Sequence, residues 1–225
     1  MDVRIHPTAI VEQNVSLGRG TSVWDNVHIR HGARLGEQCI VGGKSYIAYD
    51  VQIGHRVKIN SMVYICNAVI IEDGVMISAG VIFTNDRFPR ATTNDLSELR
   101  SSSPDAATLP TRVREGATIG AGARIGCDLV IGRFAMIGMG TIVTRTVADF
   151  HLVLGNPGRS IGAVCRCGRP LMKWCDLAHN TPIHVQCDYC GLQFQINERV
   201  VLELGLDSAD KNYPHLAASL KSEEP

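Results

Sequence analysis

An aliphatic residue recurs at every sixth position through the first third of the chain. The run is Ile5, Val11, Leu17, Val23, Ile29, Leu35, Val41, Ile47, Ile53, Ile59, Ile65, Ile71 and Ile77, closed by Phe83. The same phase returns at Val113, Ile119, Ile125, Ile131, Ile137 and Val143. A period of six matches neither the 3.6-residue repeat of a helix nor the two-residue alternation of an ordinary strand. It matches a chain that turns a corner every six residues and sends one bulky apolar side chain inward between corners. The pattern therefore predicts a hexapeptide solenoid, a parallel β-helix of triangular section. A second column lies four residues after the first and is small or β-branched: Thr21, Val27, Ala33, Cys39, Ser45 and Val51 are examples. Such residues suit strands and tight turns. Gly18, Gly36, Gly42, Gly54, Gly120, Gly126, Gly132 and Gly138 each follow an inward aliphatic directly, and the pattern places a permissive backbone there. A sandwich or propeller would instead space its strands by irregular turns.

Three hexads complete one coil, so residues 1–148 predict about six coils in a prism roughly 30 Å tall. The phase is lost over 84–112, a polar stretch with Pro89, Pro104 and Pro110. An aperiodic insertion of that length in a compact scaffold reads as an excursion loop. Phe88, Arg87 and Arg90 favour a docked first half, and the serines at 101–103 favour mobility after it. Residues 149–162 form a turn-rich crossover around Asn156-Pro157-Gly158. A cysteine-rich module follows at 163–199, then a tail at 200–225 holding one short helix or nothing fixed. The first few residues are expected to cap one end of the prism, and the segment after Val143 the other.

The formal net charge is +0, which gives no reason to expect nucleic acid or an anionic membrane as partner. No apolar run approaches a membrane span, and Met1-Asp2-Val3-Arg4 does not open a signal peptide. The expectation is a cytoplasmic protein. Cys39, Cys66 and Cys127 fall within the repeat, Cys39 in the inward small column. Cys165, Cys167, Cys175, Cys187 and Cys190 crowd the module. Cys-Arg-Cys-Gly and, about twenty residues later, Cys-Asp-Tyr-Cys-Gly read as two knuckles of a zinc ribbon closed by four thiolates. The expected ligands are Cys165, Cys167, Cys187 and Cys190. The first pair has one intervening residue where two are usual, so Cys175, His179 or His184 stays open as a substitute. A module this small buries too little surface to fold unaided, which favours structural zinc over a metal-free reduced cluster.

The hexad phase, the loop opening Phe83-Thr84-Asn85-Asp86-Arg87-Phe88-Pro89-Arg90-Ala91 and the turn Gly155-Asn156-Pro157-Gly158-Arg159 together resemble the left-handed β-helix acyltransferases. Within them the chain is similar to the N-acetyltransferases that acylate the 3-amino group of nucleotide-linked sugars for surface polysaccharides. The resemblance covers residues 1–170. It implies an all-β, left-handed parallel β-helix that assembles as a homotrimer. It also implies active sites in clefts between prisms, acetyl-CoA along the coils, and a UDP- or dTDP-linked amino sugar as acceptor.

On that resemblance Asn85 is the first candidate for a polar group at the thioester or sugar, and Asp86 the second, as a group that attracts the substrate ammonium. An Asx-turn at the start of the loop is the structural alternative for both. His28, His31 and His55 lie outside the aliphatic column, which suits solvent-facing or trimer-contact imidazoles first and a general base second, with His31 the best placed of them for the base. Gly138, Gly140 and Thr141, with Ala121 and Gly122 one coil earlier, are expected to form a smooth rail for the pantetheine arm, unless the glycines serve only the tight corners. Arg159 is placed to meet CoA phosphate. Arg87 and Arg90 suit a diphosphate or carboxylate, unless one anchors the loop in a salt bridge. Asn67, just after the inward Ile65, is expected to face the same cleft.

Two other functions compete. A γ-type carbonic anhydrase shares the fold but needs two histidines five residues apart, and the prism has none at that spacing. A non-catalytic trimeric scaffold or binding subunit would have no use for the Asn85 loop and the Arg159 turn.

Overall fold

The computed structural model describes residues 2–101, 103–104, 108–177 and 181–205. His179 and the expected tail helix lie outside the described residues. Each hexad yields a strand of two or three residues that ends on the inward aliphatic, as in Ser22–Val23, His28–Ile29 and Arg34–Leu35. Successive strands fall on three different sheets, and each pairs in parallel with the strand three hexads later: Ser22 with Ile40, His28 with Tyr46, Arg34 with Gln52. The chain is thus a parallel β-solenoid, with sheets of ten, seven and six strands forming its faces. Both predicted columns point inward. Ile29, Ile47, Ile59, Ile65, Ile119 and Ile125 from the first, and Val27, Ala33, Val51 and Val57 from the second, are wholly buried.

Hydroxyls in the small column bridge coils. Thr21 Oγ1 donates to the Gly36 carbonyl at 2.8 Å and accepts the Cys39 N–H at 3.1 Å. Ser45 repeats this with Asn60 and Val63. Both hydroxyls are thereby satisfied.

The corners correct the reading of the glycines. The left-handed backbone falls three residues after the inward aliphatic, at Asn14, Gly20, Asn26, Gly32, Gln38, Lys44 and onward through Gly74 and Gly80. Glycines directly after the aliphatic meet a different demand. A Cβ on Gly36 would lie 2.6 Å from the Gly54 carbonyl oxygen, and one on Gly18 would lie 2.5 Å from Glu37 N. These positions are small because the next coil passes against them.

The loop leaves after the strand Ile82–Phe83, and the solenoid resumes at Thr111–Val113, before the predicted end of the insertion. Val69–Ile71 pairs with Thr111–Val113 across the insertion, so the stack continues without a gap. Inside the loop, Asp95 accepts hydrogen bonds from the Thr93 hydroxyl and from Ser97, which hold its carboxyl at about 2. Phe88 is 78% exposed and does not dock the loop. Arg87 does so, through a 2.9 Å ion pair with Asp128.

The two ends differ. At the first coil Ile5 is 46% and Ile10 57% exposed, so the opening residues do not cap the prism. At the other end His151–Leu154, Arg159–Val164 and Pro170–Lys173 extend the ten-stranded sheet as an antiparallel meander. A three-stranded sheet follows: Ile183–Gln186, Gln193–Asn197 and Val200–Glu203. The module therefore runs past its expected end at 199. Its core of Phe150, Trp174, Phe194, Ile196 and Val201 meets the prism where Phe134 stacks on Phe150 at 5.5 Å. Among the described residues no helix is long and apolar enough to cross a membrane.

Candidate functional site

Because one coil takes 18 residues, residues at that spacing stack at one corner. The corner from which the loop departs carries His31, Tyr49, Asn67 and Asn85 in successive coils. His31 stacks on Tyr49 at 5.5 Å, and the Asn85 side-chain amide donates to Asn67 Oδ1. Asn67 is 8% exposed. The structure thus brings together Asn67 and Asn85, which are distant enough in sequence to be chosen separately. The Asn85 carbonyl also accepts the Leu109 N–H at 3.2 Å, tying the exit of the loop to its return. Asp86 forms the Asx-turn: its Oδ1 accepts the Phe88 N–H at 2.9 Å. Arg90 reaches the carbonyl of Pro89.

His31 does not join the asparagines. Three coils separate it from Asn85, roughly 14 Å at the stacking distance of strands. It belongs to a cluster that sequence reasoning missed, organised by Glu12. Glu12 lies 2.7 Å from His28 Nε2, 2.7 Å from Arg30 Nε and 3.2 Å from His31 Nδ1, and accepts the His31 backbone N–H at 3.0 Å. What desolvation it suffers raises its pKa, but the His31 N–H and the three side chains outweigh that and hold the carboxyl at about 2. Arg30 also donates to the Tyr46 hydroxyl at 2.8 Å, and Tyr46 stacks on Tyr64 at 5.2 Å. The signal was available: His28, Tyr46 and Tyr64 are spaced by one coil. His55 sits at another corner, where its Nδ1 accepts the Glu37 N–H and its own N–H donates to Asp73, so it staples coils.

The expected rail runs along the corner formed by 120–122 and 138–140. Gly122 and Gly140 have φ of +70° and +67°, and a Cβ on either would meet nothing. Both open outward. Gly138 does not, since its Cβ direction is filled by Leu154, and Thr141 is wholly buried with its methyl against Gly158. Arg159 is exposed at the start of its strand, hydrogen-bonded to the Gly158 carbonyl.

Cys165, Cys167, Cys187 and Cys190 converge with all four sulfurs within 4.8 Å of one another. Cys165 and Cys190 are 3.4 Å apart, and Cys167 and Cys187 are 3.6 Å apart. A tetrahedral ion with metal–sulfur bonds of about 2.3 Å needs edges of about 3.8 Å, so the four thiols fit one. Each knuckle closes on a left-handed glycine, Gly168 or Gly191, whose N–H returns to the carbonyl of the first cysteine in its turn. Backbone N–H groups of Cys190 and Tyr189 draw the Cys187 thiol down to about 6, while burial pushes Cys165 up. The Cys175 sulfur points to Asp176, outside the cluster, and His184 is not part of it either. Among the described residues no other three His, Cys, Asp or Glu side chains lie close enough to share an ion.

No family model matches the chain. A dTDP-3-amino-3,6-dideoxy-α-D-galactopyranose 3-N-acetyltransferase of Aneurinibacillus thermoaerophilus is 38% identical over 94 residues, 42% of this chain and 45% of that protein. This chain is similar to an amino-sugar N-acetyltransferase. The match spans under half of that relative's length. Among solved structures, the acetyltransferase domain of PglB from Neisseria gonorrhoeae aligns at 21% identity and a TM-score of 0.45, covering 71% of this chain and 57% of that one. PerB from Caulobacter crescentus, in complex with CoA and GDP-perosamine, aligns at 23% and 0.42 over 72% and 58%. AntD, an N-acyltransferase from Bacillus cereus in complex with dTDP and 3-hydroxybutyryl-CoA, aligns at 20% and 0.37 over 73% and 84%.

Proposed function

We propose that this chain transfers an acetyl group from acetyl-CoA to the amine, at C3, of a UDP- or dTDP-linked amino sugar. It does so in the cytoplasm, as a homotrimer of left-handed β-helices that each carry a structural zinc in the C-terminal ribbon. The observation that carries this reading is the 38% identity to a dTDP-amino-sugar 3-N-acetyltransferase.

The chemistry asks little of acid–base groups. A sugar amine beside electron-withdrawing carbons titrates near an α-amine, about 7.7–8.0, so roughly a tenth or more is free base at neutral pH. Its lone pair attacks the thioester carbonyl. The C–N bond forms, the C–S bond breaks, and the amine proton leaves with the departing thiolate. Alignment of the two reactants supplies ~7–11 kcal/mol, and one donor at the oxyanion about 3 kcal/mol.

The asparagine pair supports this. With Asn85 Nδ2 given to Asn67 Oδ1, Asn67 Nδ2 can donate to an oxyanion and Asn85 Oδ1 can accept from an amine. Asp86 keeps one carboxylate oxygen beyond its turn for the substrate ammonium. Gly122 and Gly140 leave an unobstructed corner for the pantetheine arm, with Arg159 near its end. Arg90 is the candidate for the sugar-nucleotide diphosphate, whereas Arg87 is committed to Asp128. His31 is held by Glu12 and Tyr49, which favours a binding or packing role over that of a base.

The test is a thiol-release assay with acetyl-CoA against UDP- and dTDP-linked amino sugars. Asn85→Ala is expected to lower turnover ten-fold or more with the assembly intact. Near-normal turnover removes Asn85 from the mechanism, and no thiol release with any amino sugar leaves the scaffold reading.

A further inference from the structure

One corner of the prism carries a notch. The two residues after each inward aliphatic stack there from coil to coil: Trp24-Asp25, then Gly42-Gly43, then Asn60-Ser61. The main-chain ladder fixes that order, with Lys44 N–H donating to the Asp25 carbonyl at 2.9 Å and Met62 N–H to the Gly43 carbonyl at 3.0 Å. Two glycines in the middle coil part the side chains below and above by two coil spacings, roughly 10 Å. The groove so formed has a volume of ≈ 360 Å³ and takes in Ile40 at its side. Small-molecule sites span roughly 300–1,000 Å³, so this one has room for a single ring and not for a whole nucleotide cofactor.

The walls are chemically distinct. Trp24 is 43% and Ile40 39% exposed. Arg4, one coil below, lies over the indole at 5.0 Å and steadies it from beneath. A Cβ on Gly43 would lie 2.4 Å from Asp25 Oδ1, so the Asp25 carboxylate leans over the floor of the notch. Its other oxygen accepts from Asn26 Nδ2 at 3.2 Å. Asn60 and Ser61 make their hydrogen bonds through main-chain atoms, to Ile77, Ser45 and Gly80. The Asn60 amide and the Ser61 hydroxyl are thus unpartnered among the described residues.

These groups suit a pyranose. The C–H face of such a ring packs on an indole, whose π face is electron-rich. Its hydroxyls point outward around the whole rim and both donate and accept. Asp25 Oδ1 takes a hydroxyl proton in a charge-assisted bond, the stronger kind. The Asn60 amide donates and accepts on the opposite wall, as does the Ser61 hydroxyl. A phosphate is repelled by the Asp25 carboxylate. A flat base carries its polar groups in one plane, whereas here they lie on the floor and the upper wall.

We infer that the notch at Gly42-Gly43 binds a hexose ring, packed on Trp24 and held by Asp25, Asn60 and Ser61. Strand Tyr64–Ile65 of the seven-stranded sheet runs between this corner and that of Asn67 and Asn85. The notch is therefore a second site on the same prism. The ring belongs either to a nucleotide-linked sugar, which rests on the proposed reaction, or to a glycan, which does not.

The experiment titrates the full chain with dTDP-glucose, UDP-glucose, dTDP, UDP, CoA and methyl α-glucopyranoside, read by tryptophan emission and by calorimetry. The chain has two tryptophans and Trp174 is buried, so a change on ring stacking reports Trp24. Wild type is compared with Trp24→Ala and Asp25→Asn, each checked for an unchanged melting temperature. A sugar-bearing ligand is expected to shift wild-type emission to the blue. Each variant should bind that ligand about ten-fold more weakly, the order of one aromatic contact or one charged hydrogen bond. A shift with the methyl glucoside as well assigns the ring of a glycan. A shift with a nucleotide sugar alone assigns the nucleotide-linked hexose. Emission unmoved by every sugar-bearing ligand overturns the site, and so does an equal shift with the bare nucleotides or CoA. Sugar binding that depends on Trp24 and Asp25 in a protein that releases no thiol from acetyl-CoA leaves the hexose site standing while the acetyltransferase reading fails.

Discussion

Each corner of the solenoid makes two demands on single residues, and both look like glycine in the sequence. One position per hexad must turn left-handed. Another must leave room for the coil above. Side chains other than glycine fill many of the left-handed positions, including Asn14, Asn26, Asp50, Met62 and Ala68. Asparagine suits them because its short polar side chain bonds locally and tolerates that conformation. Nothing comparable relieves the close approach at Gly36, where backbone meets backbone. We therefore expect opposite responses to the same substitutions. Gly74, with φ of +67° and only a distant contact 4.0 Å from its Cβ position, should lose about 1–2 kcal/mol as alanine and less as asparagine. Gly36 should lose about 1–3 kcal/mol as alanine through overpacking and more as asparagine. Denaturant midpoints of the four variants test this; asparagine better than alanine at both sites would show that conformation alone governs them. The same logic explains which site residues were legible. Asn67 and Asn85 stand in recognisable sequence, whereas Glu12 matters only because coiling delivers His28, Arg30 and His31 to it.

At the scale of elements, strands of two residues have too few hydrogen bonds to persist alone. They exist because each is one rung of a face and its inward residue is held by the rungs on either side. The period of six announces this directly. The ribbon's sheet was less visible, although Gln193-Phe194-Gln195-Ile196-Asn197 alternates polar and apolar as a half-buried strand should, with Phe194 and Ile196 wholly buried. The cysteine knuckles are the stronger signal in that stretch, and a single five-residue alternation is weak beside them. Two of the four clustered thiols are also part of the packing, since Cys165 and Cys187 belong to the same buried cluster as Trp174 and Phe194. Protein purified without a metal-affinity step is expected to hold one zinc per chain. Chelation should expose Trp174, shifting tryptophan emission to the red, while the β-sheet signal of the prism persists. Cys187→Ser should reproduce the shift without chelator. Metal-free protein with a blue-shifted Trp174 would mean that the thiols and the apolar cluster suffice, against the rule that binding energy folds modules of this size.

For the whole molecule, the excursion loop and the two ends break an otherwise uniform stack. The loop exits and returns at the corner that carries Asn67 and Asn85, and the solenoid closes beneath it in register. A solenoid gains stability from nearest-neighbour contacts between repeats, so a terminal coil has half the support of an internal one. Here the ends are unequal. The first coil leaves Val3, Ile5 and Ile10 exposed and Val11 and Leu17 only partly covered. The last coil is overlaid by the meander and the ribbon, with Met136–Ile137 paired to both Thr118–Ile119 and Leu152–Val153. Local opening should therefore begin at the first coil. In native-state hydrogen exchange, the amides of Arg4, Ile10 and Ser16, which bond only to the coil above through Thr21, Val27 and Ala33, are expected to exchange first. Those of Thr118, Arg124 and Gly138 should be held to the global unfolding limit, a gap of several kcal/mol. Equal protection at the two ends would mean that coils melt as one unit. The one-dimensional account would then give way to a fully cooperative prism.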